Sequence, residues 1–115
     1  MTVKLGVVMD PIADINVKKD TTLAMLLAAQ RRGWELYYME QSDLSLDQGL
    51  ARATVRRLSV EDNPESWFEV GSPQDIALSD LDVVLMRKDP PFDMDFIYST
   101  YILEAAQREG TLVVN

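Results

Sequence analysis

Apolar positions gather first at residues 3–9, where Val3, Leu5, Val7, Val8 and Met9 surround Gly6. A run apolar on both faces predicts a central parallel strand. Asp10-Pro11 ends it, because proline has no amide proton to give and restricts the residue before it. A loop of mixed character follows over residues 12–19. Asp20 then reads as the N-cap of a helix over residues 21–32, with Arg31 and Arg32 at its negative end and Gly33 as its C-cap. Leu23, Leu26, Leu27 and Gln30 share one face, yet Ala24, Met25, Ala28 and Ala29 make most of the remainder apolar. That pattern predicts cover from more than one side, by a subunit or another domain. Residues 34–39 read as a second strand and complete a βαβ unit.

The middle has a different texture. Residues 44–46 and 51–60 flank Asp47-Gln48-Gly49, whose glycine suits a hairpin turn. Along residues 53–60 the alternation of apolar and polar positions is strand-like but imperfect. Residues 67–70 predict a third antiparallel strand, ending at Gly71-Ser72-Pro73, with Trp67 and Phe68 as packing residues. Residues 81–86 give another buried strand, which runs into Arg87-Lys88-Asp89-Pro90-Pro91. Asp93 can cap a helix over residues 94–108 whose apolar positions Met94, Ile97, Tyr98, Tyr101, Ile102 and Ala105 follow helical spacing. Tyr98 and Tyr101 are thereby expected in the core. Gly110 stops the helix, and residues 111–114 form a last strand. The expected fold is α/β: a Rossmann-like open sheet of mainly parallel strands with flanking helices and an antiparallel meander insertion over about residues 43–70.

At 115 residues the chain is expected to form one domain, residues 1–115. The net charge of -8, from 19 acidic and 11 basic residues, argues against a nucleic-acid or anionic-membrane surface. The one basic cluster, Arg52, Arg56 and Arg57, is too small to reverse that. Cysteine and histidine are both absent, which removes disulfides, thiol chemistry and Cys/His zinc sites. With no signal-peptide pattern and no apolar run near the roughly 20 residues that span a bilayer, a soluble cytoplasmic module is expected.

Ligands of open α/β sheets sit beyond the carboxyl ends of the strands, where strand order reverses. Two loops leave such ends with similar chemistry, Met9-Asp10-Pro11 and Met86-Arg87-Lys88-Asp89-Pro90-Pro91. A charged cluster there could hold a small zwitterion, with Arg87 clamping a carboxylate and Asp10 or Asp89 receiving an ammonium. Equally, Asp-Pro is a common turn, and Arg87 and Asp89 could simply pair at the surface. Lys18 and Lys19 could add positive charge or remain solvated. No glycine-rich phosphate loop follows the first strand, and no nucleophile elbow occurs, so no complete active site is present.

KLGVVMDP at 4–11, INVKKDT at 15–21, AQRRG at 29–33, LDVVLMRKDPPFD at 81–93, FIYSTYIL at 96–103 and GTLVVN at 110–115 together resemble the N-terminal domain of prokaryotic glutathione synthetase. The MRKDPPFD segment followed by a tyrosine-rich helix is the most specific part. The resemblance implies a pre-ATP-grasp domain of an ATP-grasp ligase, the C–N ligase that joins γ-glutamylcysteine to glycine through an acyl phosphate. It places ATP and Mg²⁺ on the ATP-grasp domains of the full-length enzyme, absent from this chain, and implies no catalytic residue, cofactor or metal within it. It also implies that Asp10, Pro11, Ile12, Asn16, Lys18, Arg87, Lys88 and Asp89 face γ-glutamylcysteine or glutathione, and that the domain packs against its own ATP-grasp domains in a homo-oligomer. Asp14 departs from the family, which often has a neutral Asn there. The alternatives are a stand-alone small-ligand binding or regulatory module without catalysis, for instance receiver-like, and a purely structural dimerisation domain using the first helix. Against the receiver form, Asp10 precedes a proline rather than a second acid.

Overall fold

The structure, a computed structural model, describes residues 2–9, 11, 21–61, 68–87 and 94–114. Among them the order of elements is β1 (Lys4–Met9), α1 (Thr21–Arg31), β2 (Glu35–Met39), β3 (Leu44–Asp47), β4 (Leu50–Val60), β5 (Phe68–Ala77), β6 (Val83–Arg87), α2 (Met94–Arg108) and β7 (Leu112–Val114). β2, β1, β6 and β7 run parallel in that spatial order, with β1 paired to both β2 and β6. β4 is antiparallel to β2, β3 and β5, so the meander is attached to the parallel part through β2. The expected α/β architecture is present.

Both helices end where glycine permits a left-handed residue. Gly33 (φ 81°) and Gly110 (φ 109°) each follow a helix, and the next residue's N–H reaches back five positions, Trp34 to the Ala29 carbonyl and Thr111 to that of Ala106. These bonds satisfy carbonyls that a helix end otherwise leaves open. The expected N-caps Asp20 and Asp93 lie outside the described residues.

The central strands β1, β2 and β6 are buried on both faces, whereas the edge strands β5 and β7 are largely exposed. Leu23, Leu26 and Ala29 of α1 pack with Leu5, Val7, Met9, Leu36 and Tyr38, whereas Ile102, Leu103, Ala105 and Ala106 of α2 pack with Val8, Met39, Val84 and Met86 on the other side. Consecutive residues of β1 thus serve opposite cores, which is why its sequence is continuously apolar. The imperfect alternation of β4 has a related cause. Ala51, Ala53 and Val55 belong to the α2 core, while Leu58 and Val60 belong to the α1 core. The pleat keeps its period of two, and the face that is covered changes along the strand.

Three expectations are corrected. β5 does not stop at residue 70 but runs through Gly71-Ser72-Pro73 to Ala77, so the antiparallel part reaches residue 77. β5 pairs with β4 alone, and an edge strand tolerates proline because one of its sides needs no donors. The register shift between Arg56 and Leu58 falls beside the same Gly-Ser-Pro segment. Second, the strand expected from residue 81 begins at Val83; a 3-10 turn at Leu78–Asp80 precedes it, with Leu78 and Leu81 buried. Third, α2 buries Ser99, Ile102, Leu103, Ala105 and Ala106, leaving Tyr98 51% and Tyr101 59% exposed. The core stripe is rotated from the expected one, and the tyrosines lie outside it.

Smaller details follow the same logic. The hairpin between β3 and β4 turns on Gln48 (φ 52°) and Gly49 (φ 82°), two left-handed residues in succession, the geometry that matches strand twist. Gln30, placed by its spacing on the apolar face of α1, donates from Nε2 to the Val60 carbonyl at 2.7 Å and accepts at Oε1 from the Val60 N–H at 2.9 Å. Phe68 packs against the α1 core as expected, and Trp67 lies outside the described residues. Among the described residues no helix is long and apolar enough to cross a membrane.

Candidate functional site

From β1 the chain passes through α1 to β2 on one side, while β6 and β7 lie on the other, so strand order reverses at β1. The crevice that such a reversal opens lies at the carboxyl ends of these strands. Met9, the last residue of β1, is the register partner of Arg87, the last residue of β6. The two loops singled out in the sequence therefore leave the sheet from adjacent strand ends on one rim.

Arg87 is half-buried on the α1 side of the sheet. Its Nε donates a 3.2 Å hydrogen bond to Oγ1 of Thr22, which is buried in the first turn of α1. A guanidinium presents five N–H donors in a planar fork, so one bond through Nε fixes the orientation of the whole plane. Tethering of this kind lowers the entropy cost of a later bidentate contact with a carboxylate. The amino-terminal end of α1 also contributes positive potential.

On the other flank of β1, Tyr38 donates from its hydroxyl to Oε2 of Glu40 at 2.6 Å, and the Glu40 N–H donates to Oδ2 of Asp43 at 2.8 Å. Glu40 directly follows the last residue of β2, so the rim carries a fixed carboxylate on one neighbour of β1 and a fixed guanidinium on the other. Opposite charges on strands either side of a reversal suit a ligand that bears both signs.

Of the residues expected to face a ligand, Arg87 and Pro11 are described, the latter exposed. Asp10, Ile12, Asn16, Lys18, Lys88 and Asp89 lie outside the described residues, as does Lys19. Thr22 and Glu40 were missed by sequence reading. For Glu40 a signal existed, an acid immediately after a buried strand. For Thr22 the partner lies 65 positions away, and no local pattern announces it. Among the described residues no group of three or more carboxylates gathers as a divalent-cation site.

The family model described as "Prokaryotic glutathione synthetase, N-terminal domain" matches residues 3–115. The chain is 68% identical over 113 residues to a glutathione synthetase of Salmonella typhimurium, covering 98% of this chain and 36% of that protein. It is 64% identical over 115 residues to a glutathione synthetase of Pseudomonas putida, covering 100% of this chain and 36% of the relative, and 59% identical over 115 residues to one of Vibrio vulnificus, with the same coverage. The chain thus spans little more than a third of the length of the curated relatives it matches.

Proposed function

The chain belongs to the prokaryotic glutathione synthetase N-terminal domain family, and from that membership we propose that it is the substrate-side domain, residues 1–115, of a cytoplasmic ligase that joins γ-glutamylcysteine to glycine with ATP hydrolysis. The remaining two-thirds of a polypeptide of the relatives' length would bind ATP and Mg²⁺ and carry the groups that stabilise the transition state. This domain supplies the wall that holds the dipeptide. The observation that carries the reading is the tethered guanidinium of Arg87 at the strand-order reversal, beside the Met9 end of β1. Arg87 takes a carboxylate of the dipeptide, and Glu40 receives its ammonium across β1. Asp10, Pro11, Ile12, Asn16, Lys18, Lys88 and Asp89 complete that wall from the two loops. The outward Ala24, Met25 and Ala28 of α1 pack against another subunit of a homo-oligomer.

Activity divides accordingly. The complete polypeptide should form the tripeptide from γ-glutamylcysteine, glycine and MgATP, whereas the 115 residues alone should hydrolyse no ATP with both substrates present. Turnover by the 115-residue chain would overturn the division of labour, and a complete polypeptide that makes no tripeptide would overturn the ligase reading.

A further inference from the structure

β2 carries one side-chain pairing twice, once towards each end. Tyr37 donates from its hydroxyl to Oε1 of Glu35, two residues back, at 3.1 Å, and Tyr38 donates to Oε2 of Glu40, two residues on, at 2.6 Å. Residues two apart on a strand share a face, so the first pair lies on the α2 side and the second on the α1 side. The Glu35 carboxylate is already matched by Arg57 at 3.0 Å. Among the described residues no Lys or Arg pairs with Glu40. Glu40 is half-buried, and the register of Val8 with Met39 and of Met9 with Arg87 puts Glu40, Met9 and Arg87 at one level of three adjacent strands. The tyrosine–glutamate pair away from the rim is thus closed by a cation, and the one at the rim is open to one.

We propose that Tyr38 is a positioning residue, whose buried phenol holds the Glu40 carboxylate in place so that the rim selects a dipeptide bearing an ammonium group. Tyr38 is 3% exposed and belongs to the α1 core with Leu26, Leu36 and Leu58. A ring so enclosed cannot swing, and its hydroxyl is therefore placed by the core. The backbone of Glu40 is fixed separately, by its N–H to Oδ2 of Asp43 at 2.8 Å and by the Asp43 N–H to its carbonyl at 2.9 Å. An untethered glutamate loses the freedom of several torsions when it binds a ligand, and a short bond to a phenol removes that freedom beforehand. A carboxylate offers about four lone-pair sites, so the phenol leaves others for an ammonium. γ-Glutamylcysteine has a single amino group, on the glutamyl carbon that also bears a carboxylate. A fixed carboxylate and a fixed guanidinium at one level of the rim suit such a carbon. The proposal rests on the reading of Glu40 as receiver of the ammonium and adds to it the residue that sets its orientation.

The test uses the complete polypeptide with two ligands, γ-glutamylcysteine and glutarylcysteine, in which hydrogen replaces the amino group. Their Kd values are measured by calorimetry with a non-hydrolysable MgATP analogue present, and the parent should favour γ-glutamylcysteine. Tyr38→Phe keeps the ring and removes the hydroxyl. It should lower that preference roughly 3- to 10-fold, the effect of one hydrogen bond, and leave the Kd of glutarylcysteine unchanged. Glu40→Gln should lower the preference at least as far, and adding Tyr38→Phe to it should change little more. Glu40→Asp draws the carboxylate back from the phenol without touching the α1 core. It should show the same selective loss, and it decides the matter if Tyr38→Phe does not fold. A preference lost in Glu40→Gln but unmoved in a folded Tyr38→Phe would overturn the proposal and leave Glu40 as the receiver. A preference unmoved by Glu40→Gln would overturn the reading of Glu40 as well. Equal weakening of both ligands by Tyr38→Phe would make the phenol a structural group only, and would also overturn the proposal.

Discussion

Arg87 and Thr22 join the carboxyl end of β6 to the first turn of α1 through a 3.2 Å Nε–H···Oγ1 hydrogen bond. Thr22 is buried, so its hydroxyl cannot exchange this partner freely for water. Replacing Thr22 by Val should lower unfolding stability by about 1 kcal/mol, the net worth of such a bond, while Thr22→Ser should retain most of it. Urea denaturation midpoints of the two variants check this. Equal midpoints for Val and Ser would mean that the contact contributes nothing.

The rotated stripe of α2 makes a contrast within one helix turn. Ile102 is fully buried in the α2 core and neighbouring Tyr101 is mostly exposed. Ile102→Ala should cost about 2–5 kcal/mol. Tyr101→Ser in the 115-residue chain should stay within about 0.5 kcal/mol of the parent, as surface changes usually do. A large loss for Tyr101→Ser would restore the tyrosine to the core.

Gly6 sits where β1 meets the 3-10 turn before β6. A Cβ built there would stand 2.6 Å from Leu81 Cδ1 and 2.7 Å from Met39 Cε, both too close for real contacts. Both atoms are the far ends of flexible side chains that can shift, although both side chains are buried, so Gly6→Ala should destabilise by about 1 kcal/mol, the low end of overpacking. Combining it with Leu81→Ala should cost less than the sum of the two single changes, because the cavity admits the new methyl. Additive losses in thermal unfolding would contradict this account of the packing.

Tyr37 predicts a pH effect. Burial raises its phenol pKa above the usual value near 10, and the hydrogen bond it donates to Oε1 of Glu35 at 3.1 Å raises it further. Arg57 opposes this weakly, with its guanidinium 5.7 Å from the Tyr37 ring centroid and an ion pair to Glu35 at 3.0 Å. The folded state thus holds the proton more tightly than the unfolded state. Its contribution to stability is complete below about pH 10 and is lost as pH rises through the folded pKa. Urea titrations between pH 8 and 11 should show this decline, and Tyr37→Phe should make it shallower. An identical slope in the variant would assign the decline to other groups.

What the sequence disclosed follows the range of the interactions involved. β1, the Gln48-Gly49 turn and the two glycine-ended helices were legible because each depends on neighbours within a few positions. The face of α2 was not. Ile97, Tyr98, Tyr101 and Ile102 keep helical spacing as well as Ser99, Ile102, Leu103 and Ala106 do, and only packing against the sheet selects between them. Pro73 suggested the end of a strand, because nothing local reveals that β5 lies at an edge. At the rim, the strand-end position of Arg87 was readable, whereas its anchor Thr22 required the fold to bring β6 beside α1.

The most direct measurement is the steady-state kinetics of the complete polypeptide carrying Arg87→Ala, with γ-glutamylcysteine as the varied substrate. Loss of a charged contact of about 1.5–3 kcal/mol should lower kcat/KM for the dipeptide roughly 10- to 150-fold, with the KM values for ATP and glycine little changed. An unaltered kcat/KM for γ-glutamylcysteine in a folded Arg87→Ala protein would contradict the account.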